Sequence, residues 1–249
     1  MPSVRRAAPA RLLGTTAVLL VTAGLLAGCT TTQHEAQRMQ IDSARERAAL
    51  LSTKVTAANP LVTAAVSATV ARDQKTALVL SVHNSGRKTV TDLPISVGYA
   101  LPGKPRVYLN ATAGLEYFQS HLPALAAGHS LIWVYTADRS LPSGAQAFAL
   151  VGSKPSVGAL VTEPNVQIAV KLGKSIGNQL QIGLDNSTSV PQYQLQVYAY
   201  ARRDGRYVAA ANTMVVDLGA GSHQNLMLKL VGAAQGATVH VEAIPTILQ

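Results

Sequence analysis

The sequence predicts an all-β fold: two β-sandwiches in tandem, behind an N-terminal leader and a short helical stalk. Apolar residues alternate with others in several short stretches, the period of half-buried strands. Clusters of Gly, Pro, Asn and Ser separate those stretches where turns belong. The same ordered series of strands and turns then occurs a second time, about a hundred residues later. On this reading the leader is 1–28, a spacer and stalk cover 29–59, and the two sandwiches cover 60–156 and 164–249. Residues 152–164, with Pro155 and Pro164, form a linker or part of an interface between them.

Composition bounds the rest. The chain has 249 residues, 48% apolar, enough for one large core or two smaller ones. Only 13% of residues are charged, against about 25% in average soluble domains. The single cysteine excludes a disulfide framework and any zinc site built from several thiolates. The net charge is +9, from 21 Lys and Arg against 12 Asp and Glu. Removing the leader takes away Arg5, Arg6 and Arg11, leaving 9 − 3 = +6.

The leader itself has a positive start, Arg5, Arg6 and Arg11, without acidic residues. Leu12 to Leu26 is then about 15 uncharged, mostly apolar residues, shorter than the roughly 20 of a spanning helix and right for a signal-peptide core. Leu26-Ala27-Gly28-Cys29 follows and resembles the lipobox of bacterial lipoproteins. The resemblance implies cleavage after Gly28, a lipidated Cys29 as first residue of the mature chain, and acylation by fatty chains such as palmitate. Two or three chains hold a protein on a membrane stably, where one does not. The implied location is the extracytoplasmic face of a cell membrane. Thr30 after the cysteine leaves an outer-membrane destination open in a Gram-negative cell.

Thr30 to Gln33 reads as a polar spacer. From His34 to Asn59 there is no Gly or Pro, and Ala, Gln, Glu and Arg abound, which favours helix. Ile41, Ala44, Ala48, Leu51 and Val55 make a narrow apolar stripe. Arg38 and Asp42 are an opposite-charge i, i+4 pair, and Asp42 and Glu46 a like-charge one. A stalk or a loosely docked helix is expected, closed by Asn59-Pro60.

The strands follow in order. Val62, Ala64, Val66, Ala68 and Val70 alternate first, then Leu78-Val-Leu80-Ser-Val82, Leu93 to Tyr99, and Leu131 to Tyr135. Leu180-Gln-Ile182-Gly-Leu184-Asp-Asn186-Ser187 lies over Leu78 to Ser85 at an offset of 102, which also brings Gly205 over Gly103. Leu218-Gly-Ala-Gly221-Ser-His223 matches Leu125-Ala-Ala-Gly128-His-Ser130 at an offset of 93. Apolar strands running into proline close each unit, Phe148 to Pro155 and Val239 to Pro245. Trp133 reads as a core residue between sheets.

These strand ends and turns resemble the small immunoglobulin-like domains of bacterial surface proteins, of the cell-adhesion-related (CARDB) and FxLYD types. The matching positions are Val82 to Gly86 with Leu125 to Ser130, and Leu184 to Ser187 with Leu218 to Ser222. The resemblance implies two tandem immunoglobulin-like β-sandwich domains.

Catalytic chemistry is not nominated by any motif. The six histidines make no i, i+4 pair or HExxH, and there is no nucleophile elbow or Gly-rich phosphate loop. No metal or cofactor is expected, and no catalytic residue. Lys104 and Arg106 flank one hairpin tip, and Arg202, Arg203 and Arg206 surround its counterpart. They are either a patch for phospholipid headgroups or acidic wall polymer, or solvated tips that resist aggregation. The expected function is a non-enzymatic, membrane-anchored binding or scaffolding module of the cell envelope. Its partners would be the membrane, through Cys29, and a protein or envelope polymer, but not nucleic acid. The alternative is an envelope substrate-binding or hydrolytic factor with a site between the two domains, near His129, His223, Asp204 or Asp217.

Overall fold

A computed structural model describes residues 35–36, 38–153 and 166–246. The leader, the lipobox residues Leu26, Ala27, Gly28 and Cys29, and most of the expected linker lie outside the described residues. Two compact units are present, Met1–Ala44 and Arg45–Gln249. A helix, α1, covers 38–49, and the Arg38–Asp42 pair expected on it is formed at 3.5 Å. The helix ends ten residues before the expected stop at Asn59. Beyond it, β-branched Thr53, Val55 and Thr56 favour extended backbone, and the sheets capture that backbone. The Val55 amide donates to Ser96 Oγ at 2.8 Å, and the Asn59 amide donates to the Val151 carbonyl at 2.7 Å. Leu51, placed on the apolar stripe by spacing, is 69% exposed as a result.

The body is an all-β sandwich fold, as the alternation predicts. Its first half holds β1 (Val62–Arg72), β2 (Lys75–Asn84), β3 (Ile95–Ala100), β4 (Val107–Tyr108), β5 (Ser130–Ala137) and β6 (Gln146–Val151). Its second holds β7 (Ala169–Ile176), β8 (Gln179–Asp185), β9 (Gln192–Arg203), β10 (Arg206–Leu218), β11 (His223–Lys229), β12 (Val231–Gly232) and β13 (Thr238–Ile244). The first-half sheets have the orders β1-β2-β5 and β4-β3-β6; the second-half sheets are β7-β8-β11 and β12-β10-β9-β13. All pairings are antiparallel. Apart from the short β12, the second half repeats the strand order of the first.

Burial follows the sequence pattern closely in β1, where the even-numbered residues from Val62 to Val70 are sheltered and the odd ones exposed. In β2 both faces are covered, since Ala77, Leu78, Val79, Leu80 and Val82 are all fully buried. β10 lies against β1, β2 and β5, while Ile95 and Val97 of β3 fill the same core. Trp133 is fully buried there, with Tyr198 of the second half beside it. The two halves therefore share a continuous apolar core. At an outer edge, β7 carries Lys171 and Lys174 and loses register with β8 between Leu172 and Ser175.

Each half is fastened by a fully buried asparagine at the end of its second strand. Asn84 Nδ2 donates to the carbonyls of Lys88, Leu125 and Ala126, and its Oδ1 accepts from the Gly86 amide. Asn186 Nδ2 donates to the carbonyls of Val190, Leu218 and Gly219, and its Oδ1 accepts from the Thr188 amide. The partners correspond one by one at the two offsets in the sequence. One amide thus satisfies carbonyls on two turns that would otherwise be buried without partners. Replacing Asn84 or Asn186 by Ala orphans all of these groups, and a loss of about 3 kcal/mol is expected for each in urea unfolding. Asn84→Asp is expected to be no better, because a carboxylate facing three carbonyls repels them.

Candidate functional site

Three elements converge at one end of the body. The turn joining β1 to β2 closes with Arg72 opposite Lys75, and the β9–β10 hairpin closes with Arg203 opposite Arg206. In the hairpin, Asp204 and Gly205 both take positive φ, +50° and +76°, the two-residue turn that suits strand twist. The third element is the segment 229–236, whose β12 pairs with Ala209 and Ala210 of β10. Gly232 is required there: its φ is +109°, and a Cβ would stand 2.2 Å from the Val208 carbonyl oxygen.

Two arginines grip this segment. Arg72 Nη1 donates to the Gly232 carbonyl at 3.0 Å. Arg203 Nη2 donates to the carbonyls of Ala233 and Gln235. Between the halves, beside Arg72, lies a cavity of about 130 Å³ whose lining includes Lys75, Thr136, Asp138, Asn212 and Lys229. Thr136 Oγ1 donates to Asn212 Oδ1 across the seam at 2.8 Å. Two carboxylates at the rim are already engaged, Asp73 with Arg72 at 3.4 Å and Asp138 with Lys75 at 2.6 Å. All four side chains are about half exposed or more, so these pairs contribute little stability.

The sequence-nominated basic residues sit at hairpin tips as expected, with different surroundings. Arg202 lies 5.2 Å over the Tyr207 ring and donates to the Gly205 carbonyl at 3.0 Å. Arg106 lies 5.0 Å over the Phe148 ring, and Lys104 is exposed in the turn after β3. Arg206 is exposed. Arg203 is committed to the 233–235 carbonyls. Tyr200, next to this cluster, stacks on His240 with centroids 5.1 Å apart and donates to Glu242 Oε1 at 3.3 Å. Partial burial, with the Glu242 carboxylate beside it, pushes the Tyr200 hydroxyl up to about 12.

His129, His223, Asp204 and Asp217 do not line the cavity between the halves. His129 and His223 lie at the Asn84 and Asn186 ends of their sheets, the far ends of β2 and β8 from Lys75 and Gln179. Among the described residues, no three His, Cys, Asp or Glu side chains are placed to share a metal ion.

A buried polar cluster occupies the opposite end. Arg45, on the last turn of α1 and only 2% exposed, donates to the carbonyls of Tyr193 at 3.4 Å and Thr246 at 3.0 Å. Its guanidinium lies 4.6 Å over the Phe118 ring and 3.9 Å from Asp92. It therefore joins the N-terminal end of this unit to both halves. Burial raises the Asp92 carboxyl, and Arg45 offsets part of that rise. His121, fully buried and stacked 4.0 Å from the Tyr117 ring, donates from Nδ1 to the Tyr117 carbonyl at 3.0 Å. Burial pulls its pKa down to about 4.

Arg72, Lys75, Lys229 and Arg45 were not nominated by the sequence. Arg72 and Lys75 flank the β1–β2 turn, and Lys229 joins them only through the fold. For Arg45 a signal existed, since it stands four residues after Ile41 and so shares the apolar side of α1.

Two outcomes are expected from the buried cluster. Arg45→Met leaves Asp92 buried without its cation and costs about 3–5 kcal/mol in denaturant unfolding; adding Asp92→Asn recovers part of the loss. His121 is neutral in the fold, whereas the unfolded chain takes up its proton near pH 6.5. Stability therefore falls as pH drops from about 6.5 towards 4, by about 3 kcal/mol in full. Thermal melts of His121→Asn are expected to show a shallower decline over that window than the wild-type chain.

No protein-family model matches this chain, and none of the curated proteins is detectably similar to it.

Proposed function

We propose that this chain is a lipid-anchored, extracytoplasmic binding or scaffolding module of a bacterial cell envelope, without catalytic activity of its own. The anchor reading rests on the basic start, the apolar core of the leader and Leu26-Ala27-Gly28-Cys29. Immunoglobulin-like domains repeated in tandem suit that role, because rigid sandwiches hold loops and hairpins in fixed positions.

The observation that carries the binding reading is the preorganised basic end. Arg202 is stacked on an aromatic ring and tied to a carbonyl, and Arg203 is tied to a neighbouring loop. Cations held in place lose little side-chain freedom when an anion arrives. The cavity between the halves, about 130 Å³, is well below the roughly 300–1,000 Å³ of a typical small-molecule site. This cavity is therefore too small for such a ligand, and the larger hollow of about 500 Å³ beside Gly177 and Ala234 opens on the surface.

Cys29→Ala tests the anchor. The variant is expected to leave the membrane pellet for the soluble fraction and to lose labelling by palmitate, while its β circular dichroism stays unchanged. Retention in the pellet with labelling intact would refute the lipid anchor.

A further inference from the structure

We propose that the end of the body formed by the β1–β2 turn, the β9–β10 hairpin and the 229–236 segment docks a linear anionic polymer whose repeating charge is a phosphate or a carboxylate. This deepens the binding-module reading and rests on it. Six cations, Arg72, Lys75, Arg202, Arg203, Arg206 and Lys229, share this end with three carboxylates, Asp73, Asp138 and Asp204. Arg72 and Lys75 are paired with the first two. Arg202, Arg203, Arg206 and Lys229 thus face Asp204 and, beside Tyr200, Glu242, and the local excess is still positive.

Shape and orientation select the ligand. The cations are strung over three elements, and the run of β10 from Arg206 to Asn212 at the cavity alone spans about 20 Å. A row of that length fits repeated charges better than one compact anion. A guanidinium offers five N–H donors in a fixed plane, so Arg202 and Arg203 keep donors for phosphate or carboxylate oxygens after making their carbonyl bonds.

Within the body, the basic end lies far from Arg45. Arg45, where this unit begins, is bonded to Tyr193 at the start of β9, whereas Arg203 ends that strand. The run of β9 from Tyr193 to Arg203 places the two about 33 Å apart.

The test uses the full chain in a non-ionic detergent. It is titrated with sodium polyphosphate and with poly-L-glutamate, and in parallel, after the detergent is removed, mixed with phosphatidylcholine vesicles containing phosphatidylglycerol. At least one polymer is expected to bind, with affinity falling as salt rises. Arg202→Gln/Arg203→Gln/Arg206→Gln is expected to weaken binding by about tenfold or more, and Lys229→Gln by about threefold. Arg87→Gln/Lys88→Gln, in the turn after Asn84 at the far end, leaves it unchanged. Arg203 also holds the 233–235 loop, so Arg202→Gln/Arg206→Gln serves if the triple variant does not fold. The proposal is overturned if neither polymer binds, if the far-end variant weakens binding equally, or if vesicles bind through these arginines and polymers do not. Polymer binding by a chain that never enters the membrane fraction refutes the anchor alone; a membrane-held chain blind to both polymers refutes this surface alone.

Discussion

Everything in the body depends on how its turns are kept dry. A sandwich buries the ends of its strands under loops whose carbonyls still need donors, and here one asparagine per half supplies them. Asn84 and Asn186 are fully buried, and each spreads its amide over three carbonyls from two separate turns. An unsatisfied carbonyl in such a place costs on the order of 1–3 kcal/mol, comparable with burying a large aliphatic side chain. The asparagine therefore fixes the loop path as firmly as apolar packing fixes the strands. Because β2 is anchored at this end, its opposite end is set in register too, and with it the β1–β2 turn that carries Arg72 and Lys75.

A second constraint works across the halves. Arg45 reaches carbonyls on β9 and on the segment just after β13 while facing Asp92 and Phe118 of the first half. Burying a guanidinium is expensive unless its donors are used. Two carbonyls, a carboxylate and an aromatic face meet that requirement together. At the other end, Arg72 of the first half is bonded to Gly232 of the second. The shared core lies between these two fastenings, with Trp133 and Tyr198 inside it. The Tyr198 hydroxyl and the Trp133 indole N–H interact only weakly with one another, so the centre of the core is held mainly by packing.

How far the sequence discloses this depends on whether a signal is local. β1 is legible residue by residue because one face is wet and the other dry. The paired turns are legible because Asn, Gly and Ser are demanded by backbone geometry and not by distant neighbours. β7 is not legible, since nearly all of its residues are exposed and no alternation marks it. The end of α1 misleads for a different reason: composition continues to favour helix to Asn59, but Val55 and Asn59 find better partners on β3 and β6. The basic end is the least legible feature of all. Arg202, Arg203 and Arg206 are marked by their hairpin, but Arg72 and Lys229 are far from it in the chain, and only the packing of the 229–236 segment against β10 brings them to it.

The outer strand β7 has a consequence for life at high density. An unpaired strand invites a neighbouring copy to add to the sheet. Here lysines at 171 and 174 flank a slip in register between Leu172 and Ser175, so an incoming strand would meet charge and a broken ladder. Copies brought close together would therefore find no easy strand to extend along this edge.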